Sequence, residues 1–244
     1  MQLELVTADE VRLAARRVAA VGKRRGVVVV VHGFAATSDE PRVAVLIEAV
    51  RGAGFDALAF DSRGHGASGG EATLGDREQL DVAAAVDAVR DLDGPVFIVA
   101  ASAGAIGALR YAAATDDPLA GVVTVSCPAR WRLPLNVRGI ASALLTQTPI
   151  GRLFAARQMH VRIARGFARP APPVELVPAL SAPLAVVHGL ADPFIAPSDA
   201  EQLYDAATEP RRIEMVLGMG HAYEPPAVQP VLDALEWAFA CTDR

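Results

Sequence analysis

Five consecutive valines, Val27–Val31, leave this chain little latitude. β-Branched side chains are stiff at χ1 and fit a pleated strand, and a strand with no polar position has no face to show to water. Such a run belongs in a parallel sheet covered on both sides. It leads directly into His32-Gly33-Phe34-Ala35, and Pro41 then opens a helix expected to end at Gly52-Ala53-Gly54. The cycle of apolar run, turn and helix recurs. Phe55–Phe60 ends in the glycine-rich loop Asp61–Gly70, and a helix follows from about Gly75 to Leu92, with Val82, Ala85, Val86 and Val89 on one face. Val96–Ala101 passes into a small-residue helix, Gly121–Val125 is a strand, and Ala185–Val187 precedes His188-Gly189-Leu190-Ala191-Asp192. Ser198 and Glu201 have capping-box spacing, Arg212–Val216 precedes Gly218-Met219-Gly220-His221, and Val231–Phe239 is a closing amphipathic helix. Leu3–Val6 and Val11–Val18 read as an opening hairpin around Thr7–Glu10. The expected fold class is α/β, a mostly parallel twisted sheet with helices on both faces.

Residues 128–183 break the rhythm. They hold helical pieces, no strand signal and the proline-rich Arg169–Pro173. The expected organisation is therefore a core of residues 1–127 and 184–244 with a helical cap inserted at 128–183. Val137, Ile140, Ala141 and Leu144 form one apolar stripe; Leu153, Ala156, Ile163 and Phe167 form another, with His160 on the same face. Eight arginines lie in the insertion against one acid, Glu175, although the whole chain carries a net charge of −5. Arg162, Arg165 and Arg169 would share the face opposite the second stripe.

Composition narrows the function classes. The 244 residues are 52% hydrophobic, enough for a large core, and no polybasic tail invites nucleic acid. Cys127 and Cys241 stand alone, which excludes a disulfide framework and gives no metal-ligand cluster; Cys127 is expected to be a buried inert thiol. No basic-then-apolar leader opens the sequence and no apolar stretch nears the ~20 residues of a membrane span, so a cytoplasmic location is expected.

In open α/β sheets the reactive groups collect on loops after the strands. Five such loops carry candidates: His32–Phe34, Asp61–Gly70, Ser102, Asp192 and His221. Ser102 sits between Ala100 and Gly104 at a strand-to-helix turn, the setting of a strained nucleophile elbow, with Ala100 in place of the usual first glycine. Ser, then Asp, then His is the chain order used by one large superfamily. On HGF at 32–34, DSRGHGASGG at 61–70, ASAG at 101–104, HGLAD at 188–192 and GMGH at 218–221, the sequence resembles the α/β hydrolases over essentially its whole length.

That resemblance implies Ser102 as nucleophile, His221 as its base and Asp192 as the group orienting the imidazole. It also implies an oxyanion hole from the backbone N–H groups of Phe34 and Ala103. His32, His65 and His188 are read as loop-tying imidazoles, and Asp61 with Arg63 as a pair bracing the glycine-rich loop. Trp131, Leu144, Phe154 and Phe167 are the expected acyl-pocket residues. Arg162, Arg165 and Arg169 would face an anionic substrate, a carrier or a membrane surface. The expected reaction is hydrolysis of a small-molecule carboxylic ester without cofactor or metal. The alternatives are a thioesterase on coenzyme A or carrier-protein thioesters and a non-catalytic ligand-binding relative.

Overall fold

The structure is a computed structural model that describes residues 1–130, 137–169 and 171–242, the side chains of 138 and 139 excepted. In chain order its elements are β1 (Gln2–Val6), β2 (Arg12–Val18), β3 (Gly26–Val31), α1 (Pro41–Gly52), β4 (Phe55–Phe60), α2 (Glu78–Asp87), β5 (Val96–Ala101), α3 (Ser102–Ala114) and β6 (Gly121–Val125). There follow α4 (Val137–Gln147), α5 (Pro149–Gln158), α6 (Pro173–Leu176), β7 (Leu184–Gly189), α7 (Pro197–Ala206), β8 (Arg211–Val216) and α8 (Val228–Cys241).

The strands form one sheet in the order β1-β2-β4-β3-β5-β6-β7-β8. β1 and β2 are antiparallel to their neighbours, and β4 through β8 run parallel in that order. The valine run is buried on both faces. Val27, Val29 and Val31 pack with Ile98 beneath α2, α3 and α7, against Val82, Ala85, Leu109 and Leu203. Val28 and Val30 pack with Phe97 and Val99 beneath α1 and α8, against Leu46, Ile47, Val231 and Leu235. From β3 the chain steps sideways to β4, then crosses back to β5 on the other side of β3. The carboxyl ends of β3 and β5 therefore border the switch point where such sheets bind ligands.

Four elements differ from the sequence reading. α2 spans Glu78–Asp87, shorter than Gly75–Leu92. Leu74 and Gly75 have positive φ (53° and 103°), and the Glu78 carboxylate accepts the N–H groups of Thr73 and Gly75, closing a turn where the helix was expected. Beyond Asp87 the chain tightens into i→i+3 bonds. α7 begins at Pro197, whose fixed φ suits the first helical position, so Ser198 lies inside the turn and forms no capping box with Glu201. α5 stops at Gln158, and exposed His160 turns the chain at φ 54°. The following residues pair with the glycine-rich loop: Arg162 N–H donates to the Gly64 carbonyl (2.8 Å), while Ala72 N–H donates to the Arg162 carbonyl (2.7 Å). Arg162, Arg165 and Arg169 therefore do not share a helical face. Finally, Asp61 and Arg63 do not pair with each other. Asp61 accepts the N–H groups of Ser38 and Ala67 (2.8 and 3.0 Å).

Arg63 instead joins the opening hairpin to α2. Its Nε donates to Asp81 (2.8 Å) and its two terminal nitrogens to Asp9 (2.8 and 2.9 Å), with Arg63 and Asp81 both buried. The hydrogen bonds from Arg63 pull the Asp9 carboxyl down to about 2. Removing the cation would strand Asp81 in the interior. Arg63→Ala should lose about 3–5 kcal/mol in urea denaturation, whereas Arg90→Ala, which breaks surface pairs with Asp87 and Asp117, should lose about 1 kcal/mol or less.

Candidate active site

The buried strand β5 delivers Ser102 at the first position of α3, with a left-handed φ of 51°. An L-residue holds that conformation only where its surroundings impose it. Gly104 shows how: a Cβ there would lie 2.2 Å from the His32 carbonyl oxygen, so the loop after β3 rests directly on the first turn of α3. Ala100, the departure from the usual glycine, is fully buried in the core without a clash of this kind.

Ser102 Oγ lies 2.9 Å from His221 Nε2, and His221 Nδ1 lies 2.7 Å from Asp192 Oδ2. The three sequence candidates, up to 119 residues apart in the chain, thus form one hydrogen-bonded row. The Asp192 side chain is fully buried and that of His221 mostly so. Burial alone would raise the Asp192 carboxyl. The hydrogen bond and charge of His221, with the N–H groups of Ile195 and Phe194 on Oδ1, outweigh it and hold the acid below its ordinary range. An ionised Asp192 fixes the imidazole proton on Nδ1, which leaves Nε2 as the acceptor for the serine hydroxyl. The same aspartate caps its own turn through Oδ1, so turn-capping and ring-orienting coexist. Phe194 packs on the His221 ring at 5.0 Å between centroids.

Backbone contacts fasten these loops together. A Cβ on Gly189 would meet the carbonyl oxygens of Met219 and Gly220 at 2.3 Å, and Ala191 N–H donates to the Met219 carbonyl (3.0 Å), which joins the Asp192 and His221 loops. The Tyr223 hydroxyl, fully enclosed, lies 2.9 Å from the Val31 carbonyl and 3.0 Å from that of Val99. One phenol therefore spans the ends of β3 and β5 from the loop that carries His221. Sequence reading passed over Tyr223, and over Ser126, whose hydroxyl accepts the Ala222 N–H (3.1 Å). No local pattern marks either, since their partners are backbone atoms from distant segments.

The three remaining loop histidines tie backbone, as expected. His32 accepts the Ser62 N–H at Nε2 (2.9 Å) and contacts the Gly33 carbonyl through Nδ1 (2.7 Å). His65 accepts the Ala35 N–H at Nε2 (3.2 Å), and its Nδ1 reaches the Arg63 carbonyl (3.0 Å). His188 Nε2 reaches the Ile195 carbonyl beneath the Asp192 turn (3.1 Å). Burial, then the neighbouring His65 ring, lowers His32 to about 4, and burial also lowers His65. With Ala35 N–H taken by His65, the Phe34 N–H has no acceptor among the described residues. Ala103 lies in the first turn of α3, where N–H groups have no helical partner. These are the two amides the resemblance nominates. Cys127 is buried, and burial raises its thiol far above its usual range, leaving it protonated and inert.

A narrow cleft of about 20 Å³ beside the elbow is lined by Phe34, His65, Ala72, Leu74, Glu78 and Ala103, among others. The expected pocket residues that are described, Leu144, Phe154 and Phe167, do not line it. Leu144 and Phe154 are 57% and 55% exposed on α4 and α5, Phe167 is half-buried, and Trp131 is outside the described residues. The Arg162 guanidinium is bonded to the Ser68 and Gly70 carbonyls, whereas Arg165 and Arg169 are exposed. Among the described residues there is no cluster of ligands able to hold a metal.

Known proteins agree with this arrangement in fold. The Pyrococcus furiosus esterase Pf2001 superimposes with a TM-score of 0.73 at 19% identity, over 98% of this chain and 90% of that one. A thermophilic esterase from Thermogutta terrifontis, with malate bound, gives 0.74 at 22% identity over 98% and 99%. Est1E from Butyrivibrio proteoclasticus, with ferulic acid bound, gives 0.71 at 16% over 99% and 100%. In sequence, the uncharacterized protein YqkD of Bacillus subtilis (strain 168) is 28% identical over 175 residues. That match covers 69% of this chain and only 56% of YqkD, so the chain spans about half the length of its curated relative. The family model described as serine aminopeptidase, S33, matches residues 22–159, and on that match this chain belongs to the S33 serine aminopeptidase-like family of α/β hydrolases.

Proposed function

We propose that this protein is a serine hydrolase of carboxylic esters. The carrying observation is the row Ser102 Oγ–His221 Nε2–Asp192 at 2.9 and 2.7 Å, set on a left-handed elbow. As Oγ attacks the ester carbonyl, Nε2 takes its proton, and the imidazolium is held by ionised Asp192. Negative charge on the carbonyl oxygen is received by the N–H groups of Phe34 and Ala103 at the positive end of α3. His221 then returns the proton to the departing alcohol, leaving an acyl group on Ser102. Water, deprotonated by the same imidazole, releases the acid and restores the serine.

Ester substrates are favoured over amino-terminal peptides by charge. A peptide ammonium needs a carboxylate partner, yet residues 128–183 hold eight arginines and only Glu175, itself 3.8 Å from Arg130. Glu78, in the cleft, is occupied by Thr73 and Gly75. The esterase neighbours in fold support the same choice.

A fluorophosphonate should add one adduct, located on Ser102 by mass spectrometry and absent in Ser102→Ala. Asp192→Asn should keep the fold and lower kcat by ~10⁴, because the wrong ring nitrogen then carries the proton. An adduct elsewhere, or an Asp192→Asn enzyme of normal rate, would overturn the assignment.

Losing a single oxyanion donor typically costs ~10²–10³ in rate. His65→Ala frees the Ala35 N–H and lets the Phe34 loop shift, so kcat on a p-nitrophenyl ester should fall by at least about tenfold with KM little changed. His65→Gln, which keeps an acceptor, should recover much of the loss. His32 lies at about 4, below its value of about 6.5 in the unfolded chain. The unfolded state therefore binds the extra proton first, and the His32 contribution to stability is full above about 6.5 and fades as pH falls toward 4. In NMR titration the His32 ring should change ionisation near 4.

A further inference from the structure

The hairpin of α4 and α5 turns its apolar residues outward. On α4, Val137, Ile140 and Leu144 are 82%, 61% and 57% exposed; on α5, Ile150, Leu153 and Phe154 are 82%, 49% and 55% exposed. The spacing puts each set on one face of its helix, and Arg157 continues the α5 face one turn beyond Leu153 and Phe154. Inward, the helices meet closely, because a Cβ on Gly151 would lie 2.0 Å from the Leu144 carbonyl oxygen. Ala155, with Leu145, packs on the cluster that includes Phe34, Ala35 and Ala72, so the hairpin stands on the loop beside Ser102. Among the described residues, no carboxylate lies within salt-bridge distance of Arg152, Arg157, Arg165 or Arg169. The segment 128–183 thus carries a net charge of +7 in a chain of net −5.

We propose that this hairpin is a docking surface for an anionic lipid bilayer. Exposed apolar side chains backed by unneutralised arginines are what an interfacial helix needs: carbon enters the acyl boundary and guanidinium groups meet lipid phosphates. Two apolar side chains more than four-fifths exposed, Val137 and Ile150, project rather than lining a concavity. Projections suit a soft phase that closes around them, while a folded protein partner offers a complementary pocket. No helix among the described residues is long and apolar enough to cross a membrane, so attachment would be in the plane of the surface. Docking through this face would bring the Ser102 loop cluster to the lipid boundary.

The test is flotation of the full chain, carrying Ser102→Ala, with vesicles of phosphatidylcholine alone or mixed equally with phosphatidylglycerol. The mixed vesicles should retain the protein and the neutral ones should retain far less. High salt should release it, and Arg157→Gln should weaken retention about fivefold. Ile140→Asp with Ile150→Asp should weaken retention at least about tenfold while melting temperature and, in the Ser102 background, hydrolysis of a soluble short ester stay unchanged. Equal retention on neutral and mixed vesicles, or full retention of the aspartate variant, would overturn the proposal. So would failure to float combined with a concentration-dependent dimer that the aspartate variant abolishes, since the face would then bind a second copy.

Discussion

A left-handed serine at the junction of β5 and α3 governs the rest of this architecture. Holding a non-glycine residue there costs on the order of 1–3 kcal/mol, and the cost can be met only by packing that leaves no relaxed alternative. β5 is buried along nearly its whole length, α3 buries Ala105, Ile106, Ala108 and Leu109, and the carbonyl of His32 fills the space where Gly104 lacks a side chain. That last contact has two effects. It braces the elbow, and it sets the Phe34 loop against the first turn of α3, where the unpaired amides are. Strain at the elbow and the position of the Phe34 loop therefore share a cause, which lies in the seam between β3 and β5. Tyr223 closes the same seam from a third loop, so movement of the His221 segment would have to break its bonds to both strands.

Burial acts on the ionisable groups of this region in opposite directions, to compatible ends. His32 and His65 are useful as neutral rings, because only a neutral imidazole can accept the N–H groups of Ser62 and Ala35. Desolvation keeps them neutral, lowering His32 to about 4. Asp192 is useful as an anion, and desolvation works against it; the ring of His221 and two backbone amides supply enough donors to keep it ionised. The two charge states follow from how many hydrogen bonds point at each group.

Most of the framework was legible because its signals are local. Val27–Val31 declares a two-sided buried strand by composition, and Pro41 declares a helix start by its ring geometry. Ser102, Asp192 and His221 could be placed together because each follows a strand, and parallel strands carry their ends to one edge of the sheet. The framing residues were not legible. Asp61 and Arg63 are neighbours in sequence, yet one serves the backbone of residues 38 and 67 and the other serves carboxylates at 9 and 81. Charge complementarity names a pair that could form, and only the fold decides which carboxylate arrives. The periodic pattern placed the helix start at about Gly75, but the Glu78 carboxylate accepts the N–H groups of Thr73 and Gly75 and closes a turn before the helix can begin.

The segment after β6 resisted reading for a related reason. Periodicity identifies residues that share a helical face and says nothing of what that face meets. The stripe Val137–Ile140–Leu144 exists as drawn, with its side chains turned to solvent. The second stripe fails beyond Gln158, although its spacing continues. The glycine-rich loop explains this: Gly64 and Ala72 are buried, and a buried backbone group must find a partner. Arg162 and Ala164 supply those partners in extended form, and the Arg162 side chain takes two further loop carbonyls. Another turn of helix would have satisfied α5 internally and left the Gly64 carbonyl and the Ala72 N–H and carbonyl empty. The unpaired backbone of one loop thus sets the length of a helix nearly ninety residues further along the chain.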